Sequence, residues 1–95
     1  MLLRIHRSAD YKEIVGICDK ELLGTTLTEG DLNIIISPFF FGGDEAGEEE
    51  ILAALQKYGN INMFGEKCIR IAIQNGFIDQ ESCRMIAGVP HAVIL

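Results

Sequence analysis

The sequence has no tryptophan, only 2 prolines and no long apolar run. With 48% hydrophobic and 23% charged residues, it lacks the polar, charge-rich composition of a disordered chain. Its apolar runs fall far short of the roughly 20 residues that a membrane-spanning helix needs. The first residues, MLLRIHR, also lack the pattern of a signal peptide. We therefore expect residues 1–95 to form one globular domain in the cytoplasm, with no membrane partner.

The sequence also lacks the motifs of cofactor and metal sites. Its 3 cysteines, Cys18, Cys68 and Cys83, include no C-x-x-C pair, which argues against a zinc knuckle or a dithiol redox site. No G-x-G-x-x-G, phosphate loop or H-E-x-x-H motif is present. We predict buried or half-buried thiols that act as small hydrophobes, and we predict neither a cofactor nor a metal.

Basic residues are scarce, and the net charge is −6. This acidity argues against a protein whose whole surface binds phosphates, although a local basic face could still do so. The acids cluster at residues 44–50, at the start of a predicted helix with the sequence EEEILAALQKYG. Carboxylates in the first turn stabilise the positive end of the helix dipole, and the helix directs them to different sides. A structural role therefore accounts for the cluster better than a divalent-metal site does.

Periodicity predicts the remaining elements. Alternating apolar residues indicate strands, and the first two strands are most simply an antiparallel hairpin. Three consecutive isoleucines suggest a third strand that is buried on both faces and is stopped by Pro38. A second helix is predicted in GEKCIRIAIQNG, and Gly88 with Pro90 forms a turn before a final strand. The predicted strands are 2–7, 12–18, 32–37 and 91–95. The predicted fold class is α+β, a single domain with a mainly antiparallel sheet of about four strands and two main helices packed on one face.

Candidate binding residues lie near both ends of the chain and around the segment FFFGG. At least one of Phe39, Phe40 and Phe41 must point away from the core, because neighbouring residues point to opposite sides. If the last strand pairs beside the first, the two histidines approach each other and form a cluster of donors suited to an anion. Alternatively, His6 is a solvated strand residue, His91 is packed and hydrogen-bonded, and the two glycines mark a turn rather than a phosphate cradle. The candidate residues are Arg4, His6, Arg7, Phe40, Gly42, Gly43, Pro90 and His91.

The order of these segments resembles a known family. The segments are LLRIHRS, ICDKELLGTTLTEGDLNIIIS, FFFGG before an acidic helix, EKCIRIAIQNGFID and GVPHAVIL. Together they resemble a small archaeal family described as domain of unknown function 424. The resemblance implies an archaeal, cytoplasmic protein and suggests a link with translation. Because that family has no established activity, the resemblance supplies no catalytic residues.

Three function classes are compatible with the sequence. The first is a binding module for RNA or for a ribosomal or other translation-associated partner, with its basic and aromatic residues on one surface and the acids elsewhere. The second is a subunit that self-associates into a homo-oligomer through residues 39–41 or a free strand edge. The third is a small enzyme in which His91 acts as general acid or base with Asp31, Glu66 or a cysteine. We favour the binding module and rank the enzyme last, so no catalytic residue is assigned.

Overall fold

The computed structural model describes all residues 1–95 as a six-stranded sheet, a separate two-stranded hairpin and three α-helices. None of the helices is long and apolar enough to cross a membrane. The strands are β1 (Leu2–Arg7), β2 (Glu13–Cys18), β3 (Thr26–Glu29), β4 (Leu32–Ile35), β5 (Asp44–Glu45), β6 (Ile61–Phe64), β7 (Arg84–Ile86) and β8 (Val89–Ile94). The helices are α1 (Pro38–Phe41), α2 (Glu48–Lys57) and α3 (Glu66–Gln74).

The main sheet is mixed and has the strand order β5-β1-β2-β6-β8-β7. The β1–β2 hairpin is antiparallel as predicted, and the parallel pair is β2–β6. The α+β class and the mainly antiparallel pairing are therefore confirmed, but the count of about four strands is wrong. The principal omission is β6, a short central strand between Gly59 and Gly65, where no strand was predicted.

The prediction for the third strand is also wrong in part. Residues of β4 pair with β3 across a turn at Gly30, whose φ is 57°, and this hairpin is separate from the main sheet. Burial on both faces does not hold, because Ile35 is 64% exposed and only Ile36, after the strand, is fully buried. Pro38 does stop the strand. It lies at the first position of α1, and the Ser37 hydroxyl caps that helix.

Two hydrophobic clusters lie on opposite faces of the main sheet. Successive strand residues point to opposite faces, so Val15 and Ile17 belong to one cluster and Cys18 to the other. The first cluster joins β2, β6 and β8 with Ile51 and Leu55 of α2 and with buried residues of α3. The second joins the sheet to the β3–β4 hairpin and to α1. We call the side of the sheet that carries the second cluster the His6 face; its strand positions include Leu2, Arg4, His6, Gly16, Cys18, Asn62, Phe64 and His91. The opposite side is the Arg7 face.

The C-terminal turn differs from the prediction. Ala87 and Gly88, both with positive φ, form the turn between β7 and β8. Pro90 is instead a buried residue inside β8, and its carbonyl accepts a hydrogen bond from Gly65 N at 3.0 Å. The final strand is docked in the sheet as expected, except that Leu95 lies beyond it and is 92% exposed.

A buried carboxylate joins the central strands to α3. Asp19 follows β2 directly and is 3% exposed. Its carboxylate accepts hydrogen bonds from Lys67 N at 2.9 Å and Cys68 N at 3.1 Å, which are free donors in the first turn of α3. Gly65, at the start of α3, has a φ of 121°, and a Cβ there would lie 2.3 Å from Asp19 Cγ. The carboxylate therefore caps a helix that is distant in sequence and requires a glycine beside it.

This contact makes a stability prediction. We expect Asp19→Ala to lower the free energy of unfolding by about 2 kcal/mol, because two amides at the start of α3 lose their acceptor. Chemical denaturation followed by circular dichroism measures the change. Asp79→Ala is the matched control, since Asp79 precedes a 3-10 turn without a side-chain cap bond. We expect the control to change stability by less than about 0.5 kcal/mol; equal effects of both variants would contradict the capping role.

Candidate functional site

His6 is held against α1 rather than freely solvated. Its Nε2 lies 2.9 Å from the carbonyl oxygen of Phe40, and its ring stacks on the Phe40 ring at 4.8 Å with an interplanar angle of 15°. Because a carbonyl oxygen only accepts, His6 Nε2 carries the hydrogen. The helix approaches this closely because the neighbouring strand position is Gly16. A Cβ there would lie 2.6 Å from Phe40 O, so this close approach of strand and helix requires a glycine.

Arg4 lies next to His6 on the same face and contacts Phe39. Its guanidinium carbon is 5.3 Å from the centroid of the Phe39 ring, and its Nη1 donates to Gly42 O at 3.4 Å. Phe39 is 74% exposed, while Phe41 is only 4% exposed. The expectation of an outward-facing phenylalanine is confirmed, but the most exposed ring is Phe39 and not the chosen Phe40. The pair Ser-Pro in the sequence is typical of a helix start, and it places Phe39 in the first turn of α1.

Gly42 and Gly43 serve close packing. A Cβ on Gly43 would lie 2.0 Å from Leu3 O, and a Cβ on Gly42 would lie 2.2 Å from Pro38 O. Both backbone amides already donate hydrogen bonds, Gly42 N to Pro38 O and Gly43 N to Phe41 O. A phosphate cradle needs free amides, so the turn interpretation holds for this pair.

Arg7 does not join the candidate surface. It lies on the face opposite to Arg4 and His6, because alternation along β1 separates it from them. Its Nε is 2.9 Å from Glu13 Oε2, the residue directly across the hairpin. The prediction that Arg7 shares one basic face with Arg4 and His6 is therefore wrong.

His91 lies on the His6 face but far from His6. Strand β8 pairs with β6 and β7, so three strand spacings of about 4.8 Å separate the histidine strands. The last strand does not pair beside the first, so the condition under which the two histidines would approach each other is not met. The Nε2 of His91 is 2.9 Å from Asn62 Oδ1, and its ring stacks on Phe64 at 4.2 Å. The packed, hydrogen-bonded interpretation of His91 is confirmed; its partner Asn62 was missed because β6 was missed.

A continuous series of ring contacts connects the two histidines. His6 stacks on Phe40, and Phe40 meets the edge of Phe41 at 4.8 Å. Phe41 meets Phe64 at 5.6 Å, and Phe64 stacks on His91. His6 and Phe40, at one end of the series, are half-buried, and Phe41 and Phe64 are buried in the second cluster. Rings at these separations attract each other, so the series holds α1 in a fixed position over the sheet.

Burial determines the ionisation of two side chains in this region. Burial, followed by the charge of Arg84, lowers the pKa of His91 below its usual value, and its Nε2 contacts an amide oxygen rather than a carboxylate. Burial raises the pKa of Cys18 to about 11, which keeps that thiol protonated. Asp31 and Glu66, the other suggested partners of His91, are exposed on the β3–β4 turn and at the start of α3.

These observations define a small α+β protein with a basic and aromatic patch on one face of a mixed sheet. The model of the family described as protein of unknown function (DUF424) matches residues 6–95, so the chain belongs to this family. A solved structure of similar fold is that of an uncharacterized conserved protein from Methanopyrus kandleri, an archaeon. The two chains are 27% identical with a TM-score of 0.80, over 98% of this chain and 88% of the other. Among curated proteins no significant match is found.

The lowered pKa of His91 predicts a pH dependence of stability. An imidazole that protonates less readily in the folded chain stabilises the fold above the unfolded pKa of about 6.5, and this contribution is lost as the pH falls. We expect the free energy of unfolding to decrease from about pH 7 to pH 5, and less so in His91→Gln. Denaturant titrations at each pH measure the difference. In NMR titrations, Arg84→Ala should raise the His91 midpoint, and an unchanged midpoint would contradict the role of Arg84.

Proposed function

We propose that this protein binds single-stranded RNA through the Arg4 end of the His6 face. The observation that carries the proposal is the Arg4 guanidinium next to the exposed ring of Phe39, with His6 beside both. An exposed ring offers a stacking surface to any base, and a guanidinium offers donors to a phosphate. We call this group, Arg4, His6, Phe39 and Phe40, the stacking patch.

The distribution of charge supports the proposal despite the net charge of −6. Glu13 and Asp44 lie on the Arg7 face, and Glu45, on the same side as Leu2, is paired with Lys20. The three glutamates at the start of α2 belong to a helix whose buried residues join the first cluster. We infer that α2 and α3 both cover the Arg7 face, which leaves the stacking patch on the other side of the sheet, away from most carboxylates.

The rest of the His6 face provides further contacts for an extended strand of RNA. Asn62 and His91 form a hydrogen-bonded pair in which His91 Nε2 donates to the amide oxygen of Asn62. His91 Nδ1 therefore remains available as an acceptor. Val93, on the same side of β8, is 46% exposed and adds apolar surface. RNA recognised on a sheet face is contacted in this way, by stacking and by hydrogen bonds to base edges. As part of the same proposal, the protein acts in the cytoplasm and its RNA belongs to the translation apparatus.

The test is fluorescence anisotropy with labelled single-stranded RNA decamers at low ionic strength. We expect Phe39→Ala to weaken binding by about 1 to 3 kcal/mol, the range for loss of one stacked base. Because Phe39 is 74% exposed, its removal should leave stability unchanged. Arg4→Ala should weaken binding and also reduce the dependence of affinity on salt, because one phosphate contact is lost.

Arg7→Ala is the matched control, an arginine on the same strand but on the opposite face. It should bind RNA within about twofold of the native protein. Equal losses for Arg4→Ala and Arg7→Ala would mean that net charge and not the stacking patch governs binding. No binding of any decamer at low salt would refute the proposal.

A further inference from the structure

The outer edge of β1 has no neighbouring strand over most of its length. β5 has two residues and pairs only with Leu2 and Leu3, so the segment from Arg4 to Arg7 has no strand on that side. The direction of the remaining backbone groups follows from two hydrogen bonds. Met1 O accepts from Ala46 N beside β5, and Ser8 N donates to Lys12 O on the β2 side. Odd-numbered residues of β1 therefore direct their N–H and C=O groups outwards, and even-numbered residues direct theirs to β2.

This alternation leaves the backbone groups of Ile5 and Arg7 without a strand partner. Ile5 borders an open cleft of about 470 Å³. Its lining residues are Leu3, Arg4, Ile5, Gly42, Gly43, Asp44 and Glu50. The cleft lies where the chain leaves α1 and passes against Leu3 O, an approach that only a glycine at position 43 permits. The main chain thus ends its own pairing with β1 at this point and leaves space in line with β5.

The opposite edge of the sheet is different. There β7 has only three residues, and Glu29 Oε1 accepts a hydrogen bond from Ala87 N at 3.0 Å, so a side chain of the β3–β4 hairpin contacts the turn that ends β7. Unpaired edges promote unwanted association, and proteins cover or shorten them. The β1 edge is neither short nor covered beyond Leu3.

We propose that an extended peptide segment of a partner protein adds to the sheet at this edge, with an apolar residue opposite Ile5 and acidic residues on both sides of it. Main-chain hydrogen bonds to Ile5 and Arg7 provide the pairing, as in other cases of strand addition. The apolar residue lies beside Ile5, which packs on the first cluster. The acidic residues lie opposite Arg4 and His6 on the His6 face, whereas the cleft carboxylate of Asp44, which pairs with Leu3, lies on the Arg7 face.

A second copy of this chain offers no carboxylate to Arg4. Antiparallel pairing of two β1 strands centred on Ile5 places Arg4 of each chain opposite His6 of the other, so neither arginine gains an acidic partner. The main-chain pairing uses outward groups of the edge, whereas the preference for acidic residues shares Arg4 and His6 with the stacking patch.

The test uses amide exchange in the native protein labelled with 15N. In the free protein, the amides of Ile5 and Arg7 should exchange faster than those of Arg4 and His6, which donate to β2. The probe is the acetylated, amidated pentapeptide Thr-Glu-Val-Glu-Thr, and Thr-Lys-Val-Lys-Thr is its control. At about four times its Kd, the acidic peptide should slow exchange of Ile5 and Arg7 by about fivefold, and the lysine peptide should not slow it.

Reversal of the charge at Arg4 provides a second test of the proposal. Arg4→Glu should abolish protection by the acidic peptide and permit protection by the lysine peptide, while circular dichroism verifies its fold. Slow exchange of Ile5 and Arg7 in the free monomer would overturn the proposal, since the edge would then be closed. Equal protection by both peptides, or protection by neither peptide, would also overturn the proposal. Protection without peptide, together with a dimer mass in light scattering, would assign the edge to a second copy. The exchange experiment contains no RNA, so its outcome does not depend on whether the protein binds RNA.

Discussion

The fold depends on one buried carboxylate and the glycine that makes room for it. Asp19 ends β2, its backbone amide donates to Phe64 O at the end of β6, and its side chain caps α3. One residue thus joins the two parallel strands at the centre of the sheet to the helix that follows the second strand. The charge is tolerated in a buried position because two amides at the positive end of a helix dipole surround it. Without Gly65 the carboxylate could not enter this space.

The candidate site depends on a second close approach, at Gly16. The absence of a side chain there lets α1 lie directly on the sheet, and this contact brings the Phe40 carbonyl and ring to His6. The same placement leaves Phe39 exposed above Arg4. A four-residue helix has little stability of its own, so the arrangement is maintained by the ring contacts that continue through Phe41 into the second cluster.

Local patterns in the sequence predicted the elements that local interactions determine. The β1–β2 hairpin, α2 and α3, the stop at Pro38 and an exposed phenylalanine all follow from periodicity, capping residues or turn residues. The alternation of side chains along β1 already indicates that Arg7 and Arg4 lie on opposite faces, and the prediction did not use it. Strand β6 was not recognised because four residues between glycines carry too little periodic signal.

Other features could not be predicted from the sequence, because they depend on residues that are distant along the chain. The pairing of β8 with β6 rather than with β1, and the capping of α3 by Asp19, follow from which strands become neighbours. Neither has a signature in the residues concerned. The two histidines lie apart for the same reason. Their residue types suggested a pair, but the strand order places other strands between them.

The parallel β2–β6 pairing also determines how the chain reaches its folded state. Val15 pairs with Ile61, so the intervening segment must be ordered or looped out before this central contact forms. Such non-local contacts slow folding relative to a fold built from successive hairpins. During synthesis, the β1–β2 hairpin emerges first and carries Val15 and Ile17 exposed until β6 and α3 follow. The apolar Arg7 face of the nascent hairpin is therefore the surface at which premature association would begin.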